Sequence, residues 1–380
     1  MISLILSLTL IHSLSASAGG DYVASSVGDE IREEIPAEEK ISVHSALPVH
    51  LKYAFSFTDN HIPHYLPGGY QGIGVGIWNP GGMESGGLGK ADRYIGNSIM
   101  TYVFQGGPFW HSRSGLSLNY EWNFGASFGW KPYSEDNKYF NLTVGSRINA
   151  YINLSLFLQY RINPYVSVFG GVTASHFSNG NTSWPNPGVN SMGVKLGVTV
   201  ALNPSGKEFE QVMPDTVKKR KLQYDIMAWG AERRRVYKGG DNPVLLPGHF
   251  VCAGISFAPM WRLNSWWRIG GSADIQWDQS SDKKKHYISG DTTDDIRFSK
   301  PDFFRQLTVG LSAHGELQMP IFSVNVGIGY NFVSPWENRG FYQNIALKTY
   351  IGNHFFVNVG YQLRNFVQQS SLMLGAGYTI

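Results

Sequence analysis

Apolar and polar residues alternate along this chain over long runs. In residues 115–130, one face begins with Leu116 and Leu118 and the opposite face with Ser117 and Asn119. Because successive side chains of a strand point to opposite faces, this pattern predicts long β-strands between an apolar and a polar environment. The same alternation recurs in residues 147–162, 322–332, 355–366 and 371–380.

The length of these runs indicates the environment. Many exceed the roughly 5–6 residues typical of strands in soluble proteins. They reach the roughly 9–11 residues that a tilted strand needs to cross the hydrocarbon of a membrane. A soluble β-sandwich is the alternative, but it would rarely expose Asn, Arg and Gly along one face of so many long strands. The pattern therefore predicts an all-β fold, a transmembrane antiparallel β-barrel.

Composition agrees with this fold class and excludes several others. Glycine supplies 44 of the 380 residues, and charged residues are only 16%, against a usual figure of about 25%. No internal stretch approaches the roughly 20 apolar residues of a membrane helix. The formal net charge of +3 is too small to indicate a nucleic-acid partner. The single cysteine, Cys252, excludes an internal disulfide and any multi-cysteine metal site.

The number of strands follows from the candidate runs. We count fifteen candidates between residues 51 and 380, and bacterial barrels have even numbers of strands. Leaving the first candidate, 51–57, outside the wall gives a barrel of about 14 strands, and 12 strands is the alternative. The linker 203–220 departs from this scheme because it is long where a short periplasmic turn is expected.

The N-terminal residues predict export. Residues 2–14 form an apolar run of signal-peptide length, and Ala16-Ser17-Ala18 follows as an A-x-A cleavage site. We therefore expect a signal peptide over 1–18, a polar and acidic periplasmic lead-in over 19–48, and an outer-membrane barrel over 49–380. The expected location is the bacterial outer membrane, with many crossings of the bilayer.

One polar pair near the end of a predicted strand carries candidate chemistry. His176 and Ser178 are two residues apart, so they share a face of the strand. An imidazole beside a serine hydroxyl can activate it as a nucleophile. Their face also holds Val172 and Ala174, so in a barrel it points at lipid.

The next predicted strand supplies a third polar group. Asn190 is in line with the apolar Met192 and Val194, and a hairpin closing over 179–189 would bring it beside His176. Polar groups on a lipid face are costly unless they have partners. Three of them together favour a site that acts on a membrane lipid in the outer leaflet, where lipopolysaccharide resides. A hydrated polar cluster at the strand ends is the alternative.

The residues 176–180 (His-Phe-Ser-Asn-Gly), followed by 185–188 (Pro-Asn-Pro-Gly), resemble the lipid A 3-O-deacylase and acyloxyacyl hydrolase family of outer-membrane β-barrels. The close similarity covers about residues 173–193. It implies a serine esterase that removes an ester-linked acyl chain from lipid A, with Ser178 as nucleophile and His176 as general base. It also implies an oxyanion hole formed by Asn179 and the backbone of Gly180 or Asn181.

The resemblance implies no metal and no cofactor. The expected partners are lipid A and the surrounding outer-membrane lipid, without nucleic acid, and a homodimer is left open. Members of the family are eight-stranded barrels, so nearly half of this chain has no counterpart.

Asn190 stands where the family has a glutamate that orients the histidine. An amide oxygen can accept a hydrogen bond from an imidazole N–H and hold its tautomer, but it cannot stabilise an imidazolium as a carboxylate does. A non-enzymatic barrel, either a channel or a structural protein with a degenerate site, is therefore the main alternative, and an acyltransferase is a third. A second pair, His314 and Glu316, lies on the predicted lumen face, where a structural role is expected.

Overall fold

The structure is a computed structural model of the chain. It describes residues 10–24, 42–57, 68–84, 87–88, 95–133, 143–180, 182–185, 187–204, 221–237, 244–281, 287–289, 297–298, 301–334, 339–352, 354–365 and 368–380. Within these residues, no helix is long and apolar enough to cross a membrane.

The first part of the chain forms a closed antiparallel barrel of eight long strands. Its first strand pairs with both its second and its last strand, which closes the wall. A two-residue strand, β4, extends the third strand as a hairpin. The strands are β1 (Leu10–Ala24), β2 (Ser42–Phe57), β3 (Tyr70–Glu84), β4 (Gly87–Leu88), β5 (Ser98–His111), β6 (Leu116–Phe128), β7 (Ile148–Arg161), β8 (Val166–Ser178) and β9 (Val189–Ala201).

The second part forms another closed barrel of eight long strands, in which β10 pairs with both β13 and β21. Two short hairpins, β11–β12 and β15–β16, lie in its connections. The strands are β10 (Leu222–Arg233), β11 (Val236–Tyr237), β12 (Val244–Leu245), β13 (Phe250–Arg262), β14 (Trp267–Asp278), β15 (Tyr287–Ser289), β16 (Arg297–Phe298), β17 (Leu307–Leu317), β18 (Phe322–Val333), β19 (Gly340–Ile351), β20 (Phe355–Arg364) and β21 (Gln368–Thr379).

The antiparallel barrel fold is as predicted, but the prediction of one barrel with about 14 or 12 strands is wrong. The wall closes twice, and the long linker 203–220 separates the two closed walls. Residues 51–57, which the sequence placed outside the wall, belong to β2. Alternation reports the two environments of a strand and not its partners, so it cannot reveal where a sheet closes.

The structure also divides the N-terminal residues differently from the expected signal peptide 1–18, lead-in 19–48 and barrel 49–380. β1 covers residues 10–24 and β2 begins at Ser42, so both strands reach into the first two segments, and Ala16 and Ala18 lie within β1, opposite Leu51 and Val49. Small residues suit both a cleavage site and a strand whose inner face is Ser15 and Ser17. Cleavage after Ala18 stays a prediction that N-terminal sequencing of the exported protein tests.

The walls have an apolar outside and a polar inside, as a membrane barrel requires. On β9, for example, Met192 and Leu196 are outward and 69% and 71% exposed, whereas Ser191 and Lys195 are inward and buried. Both interiors are packed with side chains, as expected for barrels of only eight strands.

Buried charges in both interiors form ion pairs. In the first barrel, the Glu121 carboxylate accepts from Lys52 at 2.8 Å and lies 3.4 Å from Lys195. In the second barrel, Arg268 and Lys348 lie between two acids: Arg268 is 2.9 Å from Asp225 and 2.6 Å from Glu316, and Lys348 is 3.0 Å from each. Charges are tolerated in such interiors when every one of them is paired.

Glycines on the inner face of β3 leave room for large rings. A Cβ atom at Gly74 would overlap the ring of Tyr102. We therefore expect Gly74→Ala to lower the free energy of unfolding by about 1–3 kcal/mol, because overpacking forces side chains and backbone to shift. Guanidinium unfolding in detergent micelles measures this. The matched control is Gly20→Ala on β1, where an added Cβ meets nothing within 4 Å; equal losses for both variants would contradict the prediction.

The two barrels lie side by side and touch at both ends of their walls. We call the end at which β8 finishes the upper end. At the lower end, the Gln71 side-chain amide donates to the Phe322 carbonyl and accepts from the Ile321 N–H, both at 3.2 Å. At the upper end, the Arg234 N–H donates to the Thr182 carbonyl at 2.8 Å. The second contact involves the loop that follows β8.

Candidate functional site on the outer wall of the first barrel

The end of β8 is held by an aromatic anchor inside the barrel. Phe177 is 2% exposed, and its ring centroid lies 5.2 Å from those of Trp130 and Tyr151 and 5.3 Å from that of Trp78. Because alternate residues of a strand point in opposite directions, fixing Phe177 inward directs the residues on either side of it outward. His176, as the sequence predicts, is therefore on the outer wall.

His176 and Asn190 are joined as predicted. They are directly opposite each other in the β8–β9 register, and the His176 Nδ1 atom lies 2.7 Å from the Asn190 Oδ1 atom. An amide oxygen can only accept, so Nδ1 carries the proton and Nε2 is left as the basic nitrogen. The exposed Asn190 therefore fixes the tautomer of His176.

The Ser178 hydroxyl does not make the expected contact. Among the described residues, no hydrogen bond joins it to His176, and Ser178 is 4% exposed. The Nε2 edge of the histidine faces Gly188 instead, since a Cβ placed there would lie 2.8 Å from Cε1 and 3.5 Å from Nε2. Catalytic hydrogen bonds are often long or poorly aligned without substrate.

The residues after Ser178 form a compact loop. The Asn179 side-chain amide donates to the carbonyls of Ser183 at 2.8 Å and Pro185 at 3.4 Å, and the Thr182 hydroxyl donates to the Asn179 carbonyl at 2.7 Å. These hydrogen bonds hold the Asn179 amide within the loop. Gly180 adopts a positive φ of 67°, and Asn181 lies outside the described residues.

An apolar surface continues from the polar group along the wall. Ala174, next to His176 on the same face, is opposite Leu154 on one side and Met192 on the other. Leu154 and Met192 are 61% and 69% exposed. A small residue between two large exposed ones leaves a shallow apolar track that leads to His176, so a lipid chain lying on the wall could reach the site.

A similar hydrogen-bond chain inside the second barrel serves as a contrast. His314 Nε2 lies 2.8 Å from the Ser312 hydroxyl, and His314 Nδ1 lies 2.8 Å from Asn325 Oδ1. Ser312 also donates to Asp274 at 2.8 Å. This group faces the packed interior, as does the fully buried Glu316, so the predicted structural role of His314 and Glu316 agrees with their position.

Sequence reasoning missed three contributors to the site. The sequence pattern includes Phe177 only as part of the motif at residues 176–180. The alternation that places His176 on the outer face also places Phe177 on the inner face. The contact of Gly188 with the histidine depends on how the loop returns, which no local pattern reports. The sequence also does not predict that the second barrel contacts the loop that follows Ser178. No group of three or more His, Cys, Asp or Glu within the described residues could hold a metal ion.

The first barrel has an outward-facing His176–Asn190 pair at its upper rim, with the buried Ser178 two residues further along the chain from His176. Two family models match the chain. Residues 70–199 match "Lipid A 3-O-deacylase (PagL)", and residues 222–380 match "Acyloxyacyl hydrolase, C-terminal domain". The two matched ranges fall in the first and the second barrel and together span most of the sequence. The chain belongs to the lipid A 3-O-deacylase family, which is a family of hydrolases.

Comparisons with curated proteins and with solved structures do not extend the family assignment. No curated protein matches the chain. Similar solved structures include Neisserial surface protein A, with 10% identity and a TM-score of 0.32 over 50% of this chain and 96% of that one. The outer membrane phospholipase A of Escherichia coli has 9% identity and a TM-score of 0.17 over 96% and 91%. These similarities are too low to bear on fold or function.

Proposed function

We propose that the first barrel is a serine esterase that hydrolyses an ester-linked acyl chain of lipid A in the outer leaflet of the bacterial outer membrane. The observation that carries this proposal is the 2.7 Å contact between His176 and Asn190 on an apolar, exposed wall. A polar pair on a lipid face is costly unless it has a use there. The family of the chain supports the substrate class.

Ser178 acts as the nucleophile and His176 as the general base. Nε2 takes the proton as the Ser178 oxygen bonds to the acyl carbonyl carbon, while Asn190 holds the protonated Nδ1. The imidazolium then gives this proton to the departing lipid A oxygen, which leaves an acyl-enzyme. Water, deprotonated by the same histidine, releases the fatty acid and restores Ser178.

Backbone N–H groups after Ser178 stabilise the oxyanion. The Asn179 side chain is engaged within the loop, so we assign this role to the backbone of residues 179–181 rather than to the side-chain amide. Each donor aimed at the developing charge contributes on the order of 2.7–4 kcal/mol. Because Ser178 is buried, substrate binding also has to shift the loop enough to admit the ester.

A channel is the weaker alternative. Both barrels enclose buried ion pairs, Lys52 with Glu121 in one and Arg268 with Glu316 in the other. Side chains that fill an eight-stranded interior leave little room for a conducting path. A structural barrel with a degenerate site is the outcome that the following experiment distinguishes.

Mass spectrometry of lipid A from cells with and without the protein tests the proposal. We expect lipid A that has lost one acyl chain, together with the corresponding free fatty acid. Transfer of the chain to an acceptor would indicate an acyltransferase instead. Identical lipid A profiles with folded, abundant protein in the outer membrane would contradict the esterase and favour a structural barrel.

Asn190 should make a moderate contribution. We expect Asn190→Ala to lower kcat about tenfold, since the histidine loses the group that holds its tautomer but keeps its base nitrogen. Asn190→Glu should raise kcat above wild type, because a carboxylate also stabilises the imidazolium. Steady-state kinetics on lipid A measures both variants. A wild-type rate for Asn190→Ala would show that the contact has no catalytic role.

A further inference from the structure

The second barrel has no equivalent of the His/Ser pair at the matching position. β8 is the seventh long strand of the first barrel, and β20 is the seventh of the second. Where β8 ends in His176, Phe177 and Ser178, β20 ends in Gln362, Leu363 and Arg364. The matching strand end therefore has neither a nucleophile nor a base, and the second barrel needs another explanation.

Part of the outer wall of the second barrel is covered. Tyr361 and Leu372 face outward from β20 and β21, yet Tyr361 is only 7% exposed and Leu372 is half-buried. Other outward residues of the same strands are open, with Val357 43% and Leu374 50% exposed. An outward residue of a membrane barrel normally meets lipid, so another part of the protein covers Tyr361 and Leu372.

The loop that follows Ser178 covers Tyr361 and Leu372. A Cβ atom placed on Gly180 would lie 3.2 Å from the Tyr361 ring and 3.3 Å from the Leu372 Cβ atom. Two residues further on, the Thr182 carbonyl accepts from the Arg234 N–H at 2.8 Å. The second barrel thus contacts the loop at two points, both within four residues of Ser178.

We propose that the second barrel is a non-catalytic partner whose Tyr361 and Leu372 position the oxyanion loop of the first barrel. This rests on the proposed function. The backbone N–H groups after Ser178 must lie about 2.7–3.1 Å from the developing oxyanion, and Gly180 has no side chain with which to fix itself. The Tyr361 ring and the Leu372 side chain supply the missing packing from outside, and the Arg234 hydrogen bond fixes the far side of the loop.

The double variant Tyr361→Ala/Leu372→Ala tests this role. We expect kcat on lipid A to fall about ten- to a hundredfold, because a loop displaced by about 1 Å mispositions the oxyanion donors. KM should change less than about twofold, since the apolar track beside Ala174 is untouched. Leu374→Ala removes an exposed outward side chain of β21, the strand that carries Leu372, so it should retain wild-type kcat. A folded double variant with wild-type or higher kcat would overturn the proposal.

A second measurement does not depend on activity. Hydrogen exchange of the peptide spanning residues 179–188 should be faster in the double variant than in wild type and unchanged in Leu374→Ala. Unaltered exchange in the double variant would overturn the positioning role even if the protein deacylates lipid A. If exchange is faster in the double variant but the wild-type protein does not deacylate lipid A, the packing of Tyr361 and Leu372 on the loop is supported and the proposed function is contradicted.

Discussion

Replacing Ser178 with alanine should lower kcat for lipid A deacylation by at least about 10³-fold, because the acyl-enzyme can no longer form. The substitution removes one oxygen atom from the outer rim of β8 and leaves the Phe177 anchor in place. KM should stay close to wild type, since the acyl chain is held by the apolar wall. Release of fatty acid from purified lipid A in mixed micelles, followed by mass spectrometry, measures the effect.

The control is another serine of the same strand. Ser167 lies at the lower end of β8, far from the loop, so Ser167→Ala should keep the wild-type rate. Both proteins should show the same shift between unboiled and boiled samples on electrophoresis, which reports a folded barrel. A Ser178→Ala protein that is folded and still active would contradict the proposal that Ser178 is the nucleophile.

His176→Ala should have the second largest effect, a loss of about 10²–10⁴-fold in kcat. The nucleophile would remain but would have no base to accept its proton. Because His176 is on the outer wall and only half-buried, free imidazole can occupy the vacated space. Added imidazole should therefore restore part of the rate to His176→Ala and none to Ser178→Ala.

This rescue distinguishes a base from a packing role. The matched control is His111→Gln, because His111 is exposed at the lower end of β5 and should be neutral. If His176→Ala is folded and has the wild-type rate, His176 is not the base. If its rate falls but imidazole gives no recovery at any concentration, the histidine supports the structure rather than proton transfer.

Alternation predicted the strands around the site closely. The run 147–162 corresponds to β7 (Ile148–Arg161), and the predicted strand that ends in His176 and Ser178 corresponds to β8 (Val166–Ser178). The same period of two placed His176 and Asn190 on the outer face, because residue parity alone decides the face once one side of the sheet is apolar. Their contact followed from a hairpin closing over 179–189, which aligns the last residues of one strand with the first of the next.

The remaining features depend on contacts between residues that are distant in sequence. β1 pairs with β9, so Ser13 meets Ala201, and β10 pairs with β21, so Asp225 meets Thr379. Any strand with suitable parity could occupy those places, which is why the number of barrels could not be deduced. The relation between His176 and Ser178 depends on a loop shaped by Gly188 and by the second barrel, and strand parity does not describe loops.

Labelling with a long-chain alkyl fluorophosphonate tests the central claim most directly. The reagent reacts only with an activated serine, and its alkyl chain requires access from the lipid side. We predict one adduct per chain, on the peptide that contains Ser178, and strongly reduced labelling in His176→Ala. An adduct on another residue, or no adduct on a folded wild-type protein in outer-membrane lipid, would contradict an activated serine on the outer wall.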